Sequence, residues 1–281
     1  MPTKPKKIAY LGPAGSNTEE AVIVHDPSAE RVAFPSVRSA TRAVENGEAD
    51  EAVVAIENSI EGSVVDNLDL LIHDSKLLIS KELVIPITHC LLLKPGARAE
   101  DVRVVYSHPQ ALAQCKRYLE TRFSRASPVA TLSTTAAVAQ MMAQLGGDAA
   151  AIAPKRSAQI YGAAIFEVGI QDHAGNATRF VVLAQHDAQP TGDDKTSIAF
   201  SFAEDKPGQL YKAIGLFATK GINLSKIESR PAKESLGKYF FLIDFDLHRL
   251  DPKAQETLES LRAVTSLLKV FGSYPRYRPP K

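Results

Sequence analysis

Thr178-Arg179-Phe180-Val181-Val182-Leu183-Ala184 passes from a polar entrance into an unbroken apolar run, the pattern of a buried strand. The residues before it, Asp172-His173-Ala174-Gly175-Asn176-Ala177, are turn and loop formers. A hydroxyl and a guanidinium therefore stand side by side where a strand begins, one able to share a hydrogen bond and the other to hold an anion in a fixed fork. Ile85-Pro86-Ile87 introduces another long strand much earlier in the chain. If the chain crosses between lobes at both places, the first domain is bilobed. One lobe would hold residues 1–85 plus 175–187 and the other 86–174. A cleft between such lobes suits a small ligand.

From residue 7 to about 184, short apolar runs alternate with helical patterns. Lys7–Leu11, Arg31–Phe34, Glu51–Ile56, Ile87–Leu93, Val104–Ser107, Val129–Leu132, Ala149–Ala153 and Phe180–Ala184 read as strands. Ser36 is placed to cap a helix over Val37–Asn46 that Gly47 ends. Pro109 suits the first turn of a helix reaching about Phe123, and Ser133 or Thr134 caps a segment reaching Leu145. Strands separated by helices imply an α/β, doubly wound region with mainly parallel sheets.

Gln185 to Lys195 is polar and contains Pro190 and Gly192, so it reads as a linker. The rhythm then changes to strand Thr196–Phe202, helix Gly208–Lys220, strands Leu224–Arg230 and Lys238–Asp246, helix Pro252–Leu267 and strand Leu268–Phe271. This βαββαβ order is a ferredoxin-like split unit. The domain boundaries expected are 1–187, a linker at 188–195, and 196–274.

Hydrophobic residues fill 44% of the 281 positions, enough for a substantial core. Lys+Arg 33 against Asp+Glu 32 leaves a formal net charge of +1, which gives no support to a nucleic-acid or membrane-surface partner. The stretch Met1–Lys7 is basic, but Ile8-Ala9-Tyr10-Leu11 is too short for a secretory signal, and no run approaches a membrane span. A cytoplasmic chain is expected. Cys90 and Cys115 stand far apart and read as reduced core thiols, and the seven His residues lack ligand spacing, so no metal is expected. Walker-type and dinucleotide glycine patterns are missing, and no lysine has the local signature of a Schiff base. Any chemistry must run on side chains alone, with no cofactor.

Polar segments follow several of these strands. Gly12-Pro13-Ala14-Gly15-Ser16-Asn17-Thr18 opens a helix, where free N–H groups hold a carboxylate or phosphate or where Ser16 or Asn17 simply caps a turn. Glu57-Asn58-Ser59-Ile60-Glu61-Gly62-Ser63 lies beyond the carboxyl end of Ala52–Ile56, the ligand side of open α/β sheets. There Glu57 is a proton donor or acceptor and Asn58 orients a hydroxyl. The alternative is a solvated loop. Ser107-His108-Pro109-Gln110 ends another strand; Ser107 and Gln114, seven apart and so two turns along one helix face, are candidates for one crevice. His108 lacks a nucleophile elbow and an orienting carboxylate, and reads as a capping or packing side chain. Thr135, Ser133 and Lys155-Arg156 read as caps and a solvated helix start rather than as cleft residues. In the second domain, Asp205-Lys206-Pro207-Gly208-Gln209-Leu210 opens a helix, while Asn223 and Glu228-Ser229-Arg230-Pro231 bracket the next strand.

Gly12-Pro13-x-Gly15-Ser16, Glu57-Asn58-Ser59 with Gly62-Ser63, Ser107-His108-Pro109-Gln110, Asn176-x-Thr178-Arg179-Phe180 and Glu228-Ser229-Arg230-Pro231 resemble, in order, the motifs of the prephenate dehydratase family. The resemblance covers nearly the whole chain. The second domain resembles the amino-acid-sensing ACT domain, and Gly272-Ser273-Tyr274-Pro275 resembles its family ending. Asn17 stands where the family usually has an aromatic residue, and Gln209 where its ACT turn has a small one. No helical chorismate mutase domain is expected in front of the dehydratase part.

The resemblance implies a periplasmic-binding-protein-like, bilobed catalytic domain followed by a ferredoxin-like ACT domain. It also implies conversion of prephenate to phenylpyruvate without a cofactor. Thr178, Arg179, Glu57, Asn58, Ser107 and Gln114 would be catalytic, with Thr178 assisting the leaving hydroxyl; Gly15, Ser16, Ser59, Asn176 and Phe180 would bind substrate. Phenylalanine would act as effector on Gly208, Leu210, Asn223, Leu224, Glu228 and Ser229, in a homodimer or homotetramer. The competing readings are arogenate dehydratase and a non-enzymatic bilobed sensor with an ACT module.

Overall fold

The computed structural model describes residues 4–232 and 238–279, so the start of the basic Met1–Lys7 stretch lies outside the described residues. The chain opens with β1 (Lys7–Leu11), α1 (Asn17–His25), β2 (Glu30–Phe34), α2 (Val37–Glu45) and β3 (Glu51–Asn58). Ser16 caps α1, its Oγ accepting the Glu19 N–H at 3.3 Å. The Ser36 Oγ likewise accepts the Ser39 N–H at 3.0 Å at the start of α2. Beyond β3 the chain folds back as β4 (Gly62–Ser63), pairing Asn58 with Gly62, before α3 (Val65–His73) and β5 (Leu78–Pro86).

Next come β6 (Cys90–Leu93), β7 (Val104–Ser107), α4 (Pro109–Gln114), α5 (Lys116–Arg122) and β8 (Ser127–Ala130). They are followed by α6 (Thr134–Ala143), β9 (Ala149–Ala153), α7 (Lys155–Tyr161), β10 (Ala164–Val168) and β11 (Ala177–Ala184). Ser133 is the cap of α6, accepting from the Ala136 N–H at 3.0 Å. The single helix expected over Pro109–Phe123 is two. Asp172 breaks it: its N–H donates to the Gln114 carbonyl at 2.7 Å, and its carboxylate accepts the N–H groups of Arg117 and Tyr118 at 2.9 and 3.3 Å. Gln114 thus sits at the end of a short, firmly stopped helix.

Among the described residues the strands form three sheets. The first runs β2-β1-β3-β11-β5, with β4 on β3. The second runs β10-β6-β9-β7-β8 and is mixed rather than mainly parallel, because β6 is antiparallel to both of its neighbours. The pleat gives β9 two faces. Ala149, Ala151 and Ala153 pack with Val138 and Met141 of α6, while Ala150 and Ile152 pack with Ala111 and Cys115. Cys90 and Cys115 are both free and buried.

β12 (Asp194–Ser201), α8 (Gln209–Thr219), β13 (Leu224–Pro231), β14 (Tyr239–Asp246), α9 (Pro252–Val264) and β15 (Leu267–Pro275) complete the chain. This is the expected βαββαβ unit, with its third sheet in the order β13-β14-β12-β15. Phe200, Phe217, Ile243 and Phe245 fill its core.

The chain divides into two compact units. One draws on Met1–Ala40, Val53–Val64 and Val84–Phe180; the other draws on Thr41–Ala52, Val65–Leu83 and Val181–Lys281. Inside the second unit, α3 and β5 are fastened to the C-terminal strands. Arg230 donates to the Val65 carbonyl at 2.9 Å and pairs with Asp69 at 2.8 Å. Lys195 pairs with the buried Glu82 at 3.0 Å, and Lys269 donates to the Ile72 and Ser75 carbonyls at the end of α3. Gly272 is required where β15 passes β5: a Cβ there would lie 2.4 Å from the Ile79 carbonyl oxygen. The polar linker is also fixed, because Asp187 accepts the Ser273 N–H at 3.1 Å and pairs with Arg249 at 2.6 Å.

Candidate active site

A cavity of about 480 Å³ opens in the first unit. Its wall takes Asn58, Glu61, Gly62, Ser63 and Val64 from the end of β3 and the β4 turn. Asn176, Thr178 and Phe180 come from β11 and its approach, and His89, His108 and Gln114 from beside β6 and α4. Ser16, Asn17 and Thr18 open α1 at this wall, and Ser133 and Thr134 open α6. Both helix starts carry N–H groups without intrahelical acceptors and the positive end of the helix dipole. No Lys or Arg is among the described lining residues.

The centre of the wall is a hydrogen-bonded series of buried amides. The Asn58 Oδ1 accepts the N–H groups of Ile60 and Glu61 at 3.0 and 3.1 Å, which fixes the sense of its amide. Its Nδ2 must then face the other way, and it donates to Asn176 Oδ1 at 2.8 Å and to Thr178 Oγ1 at 2.9 Å. Asn176 in turn presents its Nδ2 to Gln114 Oε1 at 2.9 Å, and Gln114 Nε2 donates to Glu61 Oε1 at 3.2 Å. Thr178 accepts from Asn58, so its own hydrogen is left for whatever occupies the cavity. Backbone bonds hold the two segments together: Ser59 N–H donates to the Ala177 carbonyl at 2.9 Å, and Ile87 N–H to the Asn176 carbonyl at 2.8 Å.

The structure does not gather all the expected residues here. Successive side chains of a strand point to opposite faces. Asn58, Thr178 and Phe180 therefore face the cavity, whereas Glu57 and Arg179 turn away and pair with each other at 3.5 Å. Ser107 is also absent from the wall. It is fully buried, and its hydroxyl donates to the Ile152 carbonyl at 2.7 Å across the second sheet. It ends a strand rather than sharing a helix face with Gln114, so the spacing of seven carries no common direction. Ser59 is exposed and serves the backbone, accepting the Ala177 N–H at 3.0 Å and donating to the Gly175 carbonyl at 3.3 Å. His108 caps α4, its Nδ1 accepting the Gln110 N–H at 3.3 Å, and it also lines the cavity.

Gly15 lies behind the wall with a left-handed φ of 93°. Its N–H donates to the buried Glu19 carboxylate at 2.7 Å, and its carbonyl accepts from Ser157 Oγ at 2.8 Å. Arg31 and Arg156 flank Glu19 at 3.3 and 3.4 Å. Burial pushes the Glu19 carboxyl up, but the Gly15 N–H and the two guanidiniums outweigh it and the net shift is downward. Burial beside this carboxylate raises the Tyr10 phenol to about 12. Two residues that the sequence did not single out therefore matter here: Glu19, which looks like an ordinary first-turn acid, and His89, which is 4% exposed.

The sequence pattern described as prephenate dehydratase matches residues 8–188, and that of the ACT domain matches 196–263. The chain belongs to the prephenate dehydratase family. A bifunctional chorismate mutase/prephenate dehydratase of Aquifex aeolicus is 41% identical over 271 residues, covering 96% of this chain and 74% of that protein. A chloroplastic arogenate dehydratase/prephenate dehydratase of Arabidopsis thaliana is 40% identical, covering 96% of this chain and 72% of that one. The crystal structure of prephenate dehydratase with L-Phe from Arthrobacter aurescens superposes with a TM-score of 0.89 at 35% identity, covering 96% of this chain and 90% of that one. Membership in the family joins the expected bilobed α/β fold to the C-terminal ACT domain found here.

The residues expected to bind an effector divide between the ends of α8. Gly208 precedes the helix, with a φ of 82°, while Asn223 and Leu224 follow it, beyond a helix about 16 Å long for its 11 residues. Leu210 and Leu224 pack on the ACT core, and Ser229 is exposed on β13, an outer strand of its sheet.

Proposed function

We propose that this chain is a prephenate dehydratase, converting prephenate to phenylpyruvate with loss of carbon dioxide and the ring hydroxyl. The observation that carries the reading is the Thr178 hydroxyl, locked as an acceptor of Asn58 at 2.9 Å in the wall of a cavity of about 480 Å³. The bond from the ring to its carboxylate breaks, and its electron pair enters the ring. The carbon–oxygen bond opposite breaks together with it, and the departing hydroxide, hydrogen-bonded by Thr178, takes a proton from solvent to become water. Aromatisation drives the change. A threonine hydroxyl is too weak an acid to be ionised at neutral pH. As a fixed donor it strengthens as charge develops on the departing oxygen, where it lowers the barrier most.

Prephenate carries two carboxylates, and the wall offers helix starts in place of cations. Ser16, Asn17 and Thr18 of α1 and Ser133 and Thr134 of α6 supply N–H groups and hydroxyls for them. Phe180 and Ile87 give the ring an apolar surface. The catalytic part is assigned to 1–187, with lobes of about 1–85 plus 175–187 and 86–174; 188–195 joins it to an ACT domain at 196–274. We assign the cytoplasm as its compartment, in keeping with two free buried thiols. Phenylalanine is the proposed effector. Because Gly208 and Asn223 lie at opposite ends of α8, one protomer does not bring them together, and a homodimer or homotetramer would complete the site.

Arogenate is a second reading, favoured by one residue. It carries an ammonium where prephenate has a keto group, and the Glu61 carboxylate lines the cavity. The test is incubation of purified protein with each substrate in parallel. Phenylpyruvate from prephenate supports the first reading, and phenylalanine from arogenate at higher kcat/KM supports the second. Neither product from folded protein would leave a binding protein with an ACT module.

A further inference from the structure

The buried amides of the cavity wall have only one consistent set of proton positions, and it ends on His89. Backbone N–H groups cannot be reversed, so Ile60 and Glu61 fix Asn58; Asn58 fixes Asn176, and Asn176 donates to Gln114 Oε1 at 2.9 Å. The same oxygen lies 2.9 Å from His89 Nε2. An oxygen can only accept, so His89 Nε2 must carry the hydrogen. The other tautomer would set a nitrogen lone pair against Gln114 Oε1 and drive that amide to flip. A flipped Gln114 would turn its NH2 group toward the Nδ2 of Asn176 and set donor against donor.

His89 is built to stay in that form. Its ring is 4% exposed, and its Nδ1 has no hydrogen-bond partner among the described residues. Burial shifts its pKa downward against the opposing effect of the Gln114 bond, which keeps the imidazole neutral at physiological pH. Its backbone is pinned on both sides. The His89 carbonyl accepts the N–H groups of Gly169 and Ile170 at 2.9 and 3.1 Å, and its own N–H donates to Gln171 Oε1 at 3.1 Å.

We propose that His89 is a positioning residue of the dehydration: as the neutral Nε2–H tautomer it donates to Gln114 Oε1 and, together with Asn176, holds the Gln114 amide in the sense the cavity requires. The same bond leaves Gln114 Nε2 facing Glu61 and the cavity. This inference rests on the dehydratase reading, but its first test does not.

That test is a long-range proton–nitrogen correlation spectrum of the imidazole rings in the full chain, with His89→Gln assigning the signal. A neutral Nε2–H ring that persists below the ordinary histidine range is expected. An Nδ1–H ring, or a ring titrating like a free histidine, would overturn the proposal whether or not prephenate is turned over. Kinetics supply the second arm. His89→Leu removes the donor and should lower kcat by about 10²-fold, the scale of a catalytic group displaced by about an ångström, while KM changes little. His89→Gln keeps an N–H at similar reach and should recover most of the loss. Wild-type kcat in His89→Leu, or equal losses in both variants, would reduce His89 to a packing residue. Should His89→Leu fail to fold, the spectrum of the unmodified chain and the His89→Gln kinetics decide. Absence of prephenate turnover in the unmodified protein would reject the dehydratase reading and leave the tautomer result standing.

Discussion

Asn58 Nδ2 donates to Thr178 Oγ1 across 2.9 Å, joining residues 120 positions apart in the chain. The bond keeps the threonine hydrogen from pointing at Asn58, because the other end of the Asn58 amide is spent on two backbone N–H groups and its Nδ2 can only donate. A hydroxyl that has already accepted is a prepared donor. Little reorganisation is needed when charge appears on the substrate oxygen, and electrostatic catalysis depends on that economy. Asn58→Leu should therefore lower kcat by roughly the 10²-fold expected for losing an oriented donor. It should also cost about 1–3 kcal/mol of stability by stranding buried polar groups, measured by urea unfolding.

Arg179 and Glu57 give the contrasting prediction. They pair on the face of the strands away from the cavity, with Glu57 still partly exposed. Arg179→Gln and Glu57→Gln should change kcat for prephenate by only severalfold, about 1 kcal/mol at most. A loss as large as that of Asn58→Leu would return Arg179 to the chemistry.

Ser107→Ala separates stability from kinetics. The Ser107 hydroxyl bonds the Ile152 carbonyl inside the second sheet. Its removal should cost about 1–2 kcal/mol in unfolding free energy and leave KM and kcat near their original values.

The acid limb of stability should contain Glu19. Its folded pKa lies below the ordinary value of 4.5, held there against burial by Gly15, Arg156 and Arg31. A depressed carboxylate contributes stability above its unfolded pKa and loses it as pH falls through the folded one. The Tm gap between wild type and Glu19→Gln should be full at neutral pH and close below about 4.5. A gap that is constant across that window would contradict the assignment.

Regulation should pass through Arg230. It lies on β13 and grips the first turns of α3, and α3 directly follows the Ser63-Val64 wall of the cavity. Arg230→Met leaves Asp69 without its guanidinium. That should destabilise the fold by about 3 kcal/mol and weaken inhibition by phenylalanine more than it weakens phenylalanine binding. Calorimetry beside inhibition curves would check both.

Much of this was legible in the sequence for a definite reason. Strands such as Ala149–Ala153 and caps such as Ser16 and Ser133 are local, and local patterns declare themselves. β5 did not, because Lys81-Glu82 interrupts its apolar run; Glu82 is buried against Lys195 and the Tyr277 N–H, partners far along the chain. The motif residues were found, but their directions were not. Strand alternation already separates Asn58 from Glu57 and Thr178 from Arg179, so that signal was present in the sequence. Nothing local marks His89, whose importance comes from Gln114 and from Asn176 beyond it.

In the proposed reaction the Thr178 hydroxyl assists departure of the ring hydroxyl. Steady-state kinetics of Thr178→Val on prephenate, with Thr178→Ser beside it, tests this most directly. The account predicts a fall in kcat of about 10²–10³ for valine with KM little changed, and substantial recovery for serine. Turnover by Thr178→Val close to that of the unmodified protein would contradict it.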